Sequence, residues 1–229
     1  MQNYTFKQKL AAEFIGTAFL LATIIGSGIM AERLAQGNMA IALLGNTIPT
    51  GAILIILINM LAPISGAHFN PVVTFIFTLK RQLTIPQGAA YIICQITAAI
   101  LGVWAAHLMF NEPLIQASQK IRTGNGQWFS EAIATFGLVI TILLTLKANK
   151  NMIATAVGLY ITAAYWFTSS TSFANPAVTI ARSMSNSFAG IRPIDVAAFI
   201  TVQFIGGYLA YLYCQWQLKP NTKAKAKPN

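Results

Sequence analysis

The sequence predicts an all-α integral membrane fold, with six transmembrane helices and two re-entrant half-helices arranged as an inverted repeat. Three observations carry the prediction. The 229-residue chain is 55% hydrophobic and only 9% charged, whereas soluble domains carry about 25% charged residues. Six apolar segments approach the roughly 20 residues that a helix needs to cross a bilayer. Two further apolar segments have about half that length, and each opens on Asn-Pro.

The long segments are 8–31, 39–62, 86–110, 128–147, 152–170 and 195–217. Lys7 and Lys9 precede the first as they would in a signal peptide. The run from Leu10 to Ala31 is nevertheless longer than the roughly 7–15 residues of a signal h-region, and we read it as a retained membrane helix. The short segments are 71–79 and 176–185. At about 1.5 Å per residue each reaches roughly 12–15 Å, half the hydrocarbon thickness.

The two halves echo each other. "AEFIGTAFLLATIIGSG", with Glu13, is matched by "SEAIATFGLVITILLTL", with Glu131. "NPVVT" at Asn70 is matched by "NPAVT" at Asn175, and "CQITAAILG" by "VQFIGGYLA". An odd number of spans per half turns the second copy upside down in the bilayer, which is an inverted repeat. The expected organisation is one transmembrane domain over 1–218, with repeats at about 8–110 and 128–217, and a basic tail over 219–229.

Charge sets the expected orientation. The net charge is +10, but the basic residues flank apolar runs or sit in the tail "KPNTKAKAKPN", which fits anionic lipid rather than nucleic acid. With the N-terminus inside, ten Lys and Arg residues face the cytoplasm and five face out. That excess places both termini in the cytoplasm. Short loops and the lack of a long targeting extension point to a bacterial inner membrane.

Asn-Pro inside an apolar segment is costly unless it begins a helix. Asparagine is a preferred N-cap and proline is tolerated at the first helical position. Asn70-Pro71 and Asn175-Pro176 therefore read as two helix starts, which inverted symmetry brings together near the midplane. Irregular backbone at that depth survives only when packed by protein or lining a wet cavity. Two Pro-kinked full spans would be the alternative, but they leave the half-length segments and the matched contexts unexplained.

From "AEF" at Ala12 to the glutamine helix near Gln203, with "SGAHFNP" ahead of the first box, the chain resembles the aquaporins, the major intrinsic protein family. The boxes are Asn70-Pro71-Val72, with Val72 where the family usually has alanine, and Asn175-Pro176-Ala177. The resemblance implies one pore per subunit, a homotetramer, and passage of water or small neutral solutes across a lipid bilayer. The half-helix dipoles would oppose cations, and the Asn70 and Asn175 amides would donate to passing oxygens.

In the family, four positions form an outer constriction, and one is normally an arginine directly after the second box. Val178 stands there in this chain. Counting from the boxes assigns Thr50, Tyr165 (or, one residue earlier, Ala164), Ser172 and Val178 to the constriction. The expectation is a wider filter that lacks a fixed charge. It admits glycerol-sized polyols, with the neutral trihydroxide of arsenite as a special case. Arg182 lies four residues beyond Val178, about 6 Å farther outward. There it either guards the outer vestibule or snorkels to lipid phosphate.

Glu13 and Glu131 are carboxylates inside apolar spans, which makes them expensive and functional by default. Hydrogen-bond support of a re-entrant loop is the preferred reading, over a proton relay. His68 faces the inner vestibule or bonds within its own loop. Two histidines, two cysteines and five carboxylates offer no metal-ligand spacing, and no cofactor or catalytic arrangement is expected. A strictly water-selective pore is one competing function. A secondary transporter, also built from inverted repeats and broken helices, is another.

Overall fold

The computed structural model describes residues 4–220. The tail lysines Lys223, Lys225 and Lys227 lie outside the described residues. Eight α-helices follow in order: α1 (Phe6–Leu34), α2 (Met39–Ser65), α3 (Pro71–Leu79), α4 (Ile85–Phe110), α5 (Asn125–Ala148), α6 (Ile153–Phe167), α7 (Pro176–Arg182) and α8 (Val196–Gln217). Short 3-10 turns at Lys150–Met152 and Pro193–Asp195 lead into α6 and α8, and the described residues contain no strand.

Local chemistry sets most of these ends. Thr5 and Thr84 open α1 and α4 with capping boxes closed by Gln8 and Gln87, each satisfying two otherwise orphaned backbone donors. Asn38 caps α2 by accepting from Ala40 and Ile41. α2 closes on Gly66 at φ 93°, a left-handed cap that glycine adopts without steric cost. The half-helices start as their sequences dictate. Asn70 caps α3 and Asn175 caps α7, each followed by proline.

Two predicted elements end early. The fifth span, expected over 152–170, is a helix of 15 residues, Ile153–Phe167. At Thr168 the hydroxyl donates to the Ala164 carbonyl at 2.6 Å and the backbone turns extended, sending the chain straight into the second re-entrant loop. Five other helices are long and apolar enough on their own to cross a bilayer. α6, with 15 residues, is shorter than these, and the 3-10 turn at Lys150–Met152 precedes it. The second half-helix, expected over 176–185, stops at Arg182 because the Ser183 amide and hydroxyl both turn back to the Ile180 carbonyl.

Packing repeats with the sequence. α1 lies against α2 and α4, and α5 lies against α6 and α8, while α2 and α6 join the halves. Each half-helix is held by the last helix of both repeats: α3 by α4 and α8, α7 by α8 and α4. Glycine permits the closest crossings. A Cβ on Gly102 would run into the Ala18 carbonyl, and one on Gly206 into the Ala132 carbonyl. The two contacts fall at different steps of the repeat, seven residues after Gln95 in α4 but three after Gln203 in α8. The outward faces stay apolar, with Phe19, Ile56, Ile93, Leu159 and Leu209 exposed, as a lipid-facing surface requires. The molecule is an all-α membrane protein built as an inverted repeat.

Candidate functional site

A cavity of about 420 Å³ runs through the middle of the molecule. Lys9 and Gln82 lie at one end, Tyr165, Ser172, Val178 and Arg182 at the other, and both box asparagines line it between. One side of the wall is apolar and helical. Leu54, Ile58 and Ala62 follow Thr50 along α2, and Ile153, Val157 and Ile161 lead to Tyr165 along α6. Four-residue spacing places each set on a single helix face. Leu138, Ile142 and Leu146 on α5 continue the stripe.

The other side is polar and non-helical. In the loop before each box, the residues four, three and one positions ahead of the asparagine take left-handed backbone: Gly66, Ala67 and Phe69, then Thr171, Ser172 and Ala174. Five of the six are not glycine, and such residues cost about 1–3 kcal/mol each, so the surrounding structure must impose them. Two buried carboxylates do so. Glu13 accepts from the His68 and Phe69 amides at 2.9 and 2.8 Å, from the Ser65 hydroxyl and from Gln95 Nε2. Glu131 accepts from the Phe173 and Ala174 amides at 2.8 and 2.9 Å and from Gln203 Nε2 at 2.6 Å. Each glutamine also donates to a half-helix threonine, Thr74 or Thr179. The carbonyls of residues 66–68 and 171–173 accept from no described donor.

The boxes meet tip to tip. Asn70 Nδ2 donates to the Ala174 carbonyl at 2.7 Å, and Asn175 Nδ2 donates to the Phe69 carbonyl at 2.8 Å. Each Oδ1 is occupied by the cap of its own half-helix. One N–H of each amide is thus committed across the junction, and the second remains for the lumen. Pro71, Pro176 and Ala177 are buried behind these amides. Val72 is fully buried and packs where a Cβ on Gly207 would otherwise sit. The larger third residue of the first box is therefore matched by a missing side chain on α8.

At the far end, the Tyr165 hydroxyl donates to Thr50 Oγ1 at 3.4 Å. Tyr165 lines the cavity, whereas Ala164 is fully buried and is not among the residues that line it. His68 reaches from its loop to the half-helix that follows. It lines the cavity, and its Nδ1 pairs with Thr74 Oγ1 at 3.2 Å.

Arg182 departs from expectation. It is 1% exposed, so it does not snorkel to lipid. Helical side chains lean toward the helix N-terminus, and the guanidinium turns into the cavity. There it lines the cavity, stacks 3.4 Å from the centroid of the Phe173 ring, and donates through Nε to the Ala189 carbonyl. The filter end therefore does hold a fixed positive charge, supplied one turn later than the position that Val178 occupies.

Residues 1–167 match the model of the family described as "Major intrinsic protein". The chain belongs to that family. It is 50% identical to Aquaglyceroporin AqpS of Rhizobium meliloti (strain 1021) over 220 residues, covering 96% of this chain and 94% of the relative. Nodulin-26 of Glycine max is 37% identical over 147 residues, covering 63% of this chain and 53% of the relative. The solved aquaglyceroporin from Plasmodium falciparum shares the fold, with a TM-score of 0.70 at 18% identity, covering 96% of this chain and 98% of that one.

Sequence reasoning overlooked Arg122 in the α4–α5 loop of this family member. It is 4% exposed and donates to the Gly190 and Ser170 carbonyls, both at 2.8 Å, with its guanidinium 4.8 Å from the Phe173 centroid. A single arginine in a polar loop carries no signal of where it folds. This end of the cavity therefore holds two buried guanidiniums, Arg122 and Arg182. Burial, then the Arg122 and Arg182 guanidiniums, push the nearby Lys120 ammonium down to about 8 against the pull of Glu32. Among the described residues, no three His, Cys, Asp or Glu side chains gather into a potential metal site.

Proposed function

We infer that the chain is a passive channel for water and small uncharged solutes of glycerol size, including neutral arsenite, and that it excludes ions and protons. The observation that carries this reading is the one-sided polarity of the cavity. A row of amides and free carbonyls faces a wall of aliphatic side chains. A hydroxylated molecule exchanges its hydration for the polar row, while its carbon skeleton rests on the apolar wall. A small ion has no such exchange available, because one row of neutral groups replaces little of its hydration shell. Two half-helix N-termini and the Arg182 charge add repulsion for cations. The relatives named as aquaglyceroporins support the same solute class.

In this reading Asn70 and Asn175 orient the solute at the midplane, and Thr50, Tyr165, Ser172 and Val178 form the outer constriction. Arg182 stands at its outer edge, His68 serves the inner vestibule, and Glu13 and Glu131 hold the loops. The channel works as a homotetramer in the bacterial inner membrane with both termini cytoplasmic, and it performs no catalysis. Stopped-flow swelling of proteoliposomes tests the solute class. Rapid water, glycerol and arsenite entry is expected. Strong water flow with neither glycerol nor arsenite passage would overturn the polyol reading.

A further inference from the structure

Five positions before each box asparagine stands a serine whose carbonyl is covered by a protein donor, and the free carbonyls begin with the next residue. The Ser65 carbonyl accepts from the Tyr91 hydroxyl at 3.1 Å, and the Ser170 carbonyl accepts from Arg122 Nη1 at 2.8 Å. Each serine hydroxyl also accepts the amide two residues on, from Ala67 at 3.0 Å and from Ser172 at 3.2 Å. The repeats thus share the turn, but its outside donor comes from different places. Gln95 and Gln203 are matched in α4 and α8, so Tyr91 and Phe199, each four residues earlier, are matched as well. Both are fully buried. Both meet, edge to face, the ring two positions before the asparagine. Tyr91 lies 5.6 Å from His68 at 64°, and Phe199 lies 5.4 Å from Phe173 at 72°. Phe199 has the ring of Tyr91 without its hydroxyl. Arg122 brings a donor to the carbonyl that this leaves over, with its guanidinium 4.8 Å from the Phe173 centroid. Its backbone amide is tied at 2.9 Å to Asp195, four residues ahead of Phe199, and its Nε to the Gly190 carbonyl.

We propose that Tyr91 and Arg122 are equivalent end stops, positioning residues that fix where each row of free carbonyls begins, and that Arg122 replaces the hydroxyl that Phe199 lacks. The assignment rests on the channel reading above. The left-handed residues that follow each serine are strained, and a donor fixed at the head of the turn keeps them from relaxing. Tyr91 acts through the Ser65 carbonyl and Arg122 through that of Ser170. The arginine suits this task because its donors form a rigid planar fork, two of which are already placed on Ser170 and Gly190. Water needs one carbonyl at a time, whereas a polyol bonds to several at once and depends on their register. Loss of an end stop therefore acts on polyol passage more than on water passage.

Tyr91→Phe, Arg122→Ala and the double variant Arg122→Ala/Phe199→Tyr, reconstituted beside the wild type, test the assignment. Initial water and glycerol entry are read by light scattering, with thermal melts in detergent recorded in parallel. Tyr91→Phe, which deletes one hydroxyl, is expected to lower the glycerol-to-water flux ratio about 5- to 10-fold, the equivalent of one hydrogen bond. Arg122→Ala is expected to lower the ratio at least as far. The hydroxyl that the double variant gains at position 199 is expected to bring it back to within about threefold of the wild type. A purely structural role would lower the melting temperatures and leave the ratio unmoved, and that result overturns the proposal. A double variant no better than Arg122→Ala overturns it too, because positions 91 and 199 would then not be equivalent. Should Arg122→Ala or the double variant not fold, the Tyr91→Phe ratio decides alone. A wild type that passes water but no glycerol removes the polyol reading, and the water flux of the variants, expected to fall and recover in the same order, then decides. A wild type that passes neither overturns the channel reading and the positioning role with it.

Discussion

Glu131 shows how a single charge can be more useful buried than exposed. It is fully buried, yet each oxygen meets at least one N–H, and two of these belong to a loop that could not otherwise hold left-handed residues. The low-dielectric surroundings that make a lone carboxylate costly also make these charge-assisted bonds strong. Glutamine keeps the shape but offers one acceptor and turns an NH2 toward a donor. Glu131→Gln is expected to lose about 2–3 kcal/mol of stability, seen as a lower melting temperature in detergent. The surviving folded protein should keep the wild-type water-to-glycerol ratio. Intact stability together with a new proton leak would instead mark Glu131 as part of a proton path. Arg182 teaches a related lesson: the number of a residue locates its backbone, while its side chain acts elsewhere.

At the scale of elements, the two half-helices are positioned by the helices that cross around them. α1–α4 and α5–α8 approach closely enough that Gly102 and Gly206 face the Ala18 and Ala132 carbonyls. In a membrane this close approach is itself a source of association, because lipid offers no hydrophobic drive between helices. Gly102→Ala and Gly206→Ala should each destabilise by about 1–3 kcal/mol through overpacking. Thermal melts of the two variants in one detergent check this. A loss is expected from each variant, and one that melts like the wild type would show that its crossing is not tight. The half-helices themselves were legible in the sequence, since Asn-Pro at the head of a half-length apolar run fits a capped helix start and little else. The early end of α6 was not legible, because hydropathy continues to Trp166 and Phe167 while a hydroxyl, Thr168, turns the chain.

For the whole molecule, the repeat and the half-helices could be read from length, charge and the spacing of two motifs, whereas the constriction residues followed from the resemblance to the family. What spacing could not supply was direction. It placed Arg182 one turn outward and left its side chain undetermined, and it gave no reason to fold Arg122 from a distant loop onto the same Phe173 ring. Those contacts depend on tertiary packing that leaves no periodic trace. The central claim concerns the whole conduit: a fixed, one-sided polar path carries neutral solutes without a moving gate or a coupled ion. Initial glycerol influx into proteoliposomes, measured against glycerol concentration with and without an imposed ion gradient, tests it most directly. The account predicts influx that rises linearly and ignores the gradient. Saturating influx that follows the gradient would contradict it and make the protein a transporter.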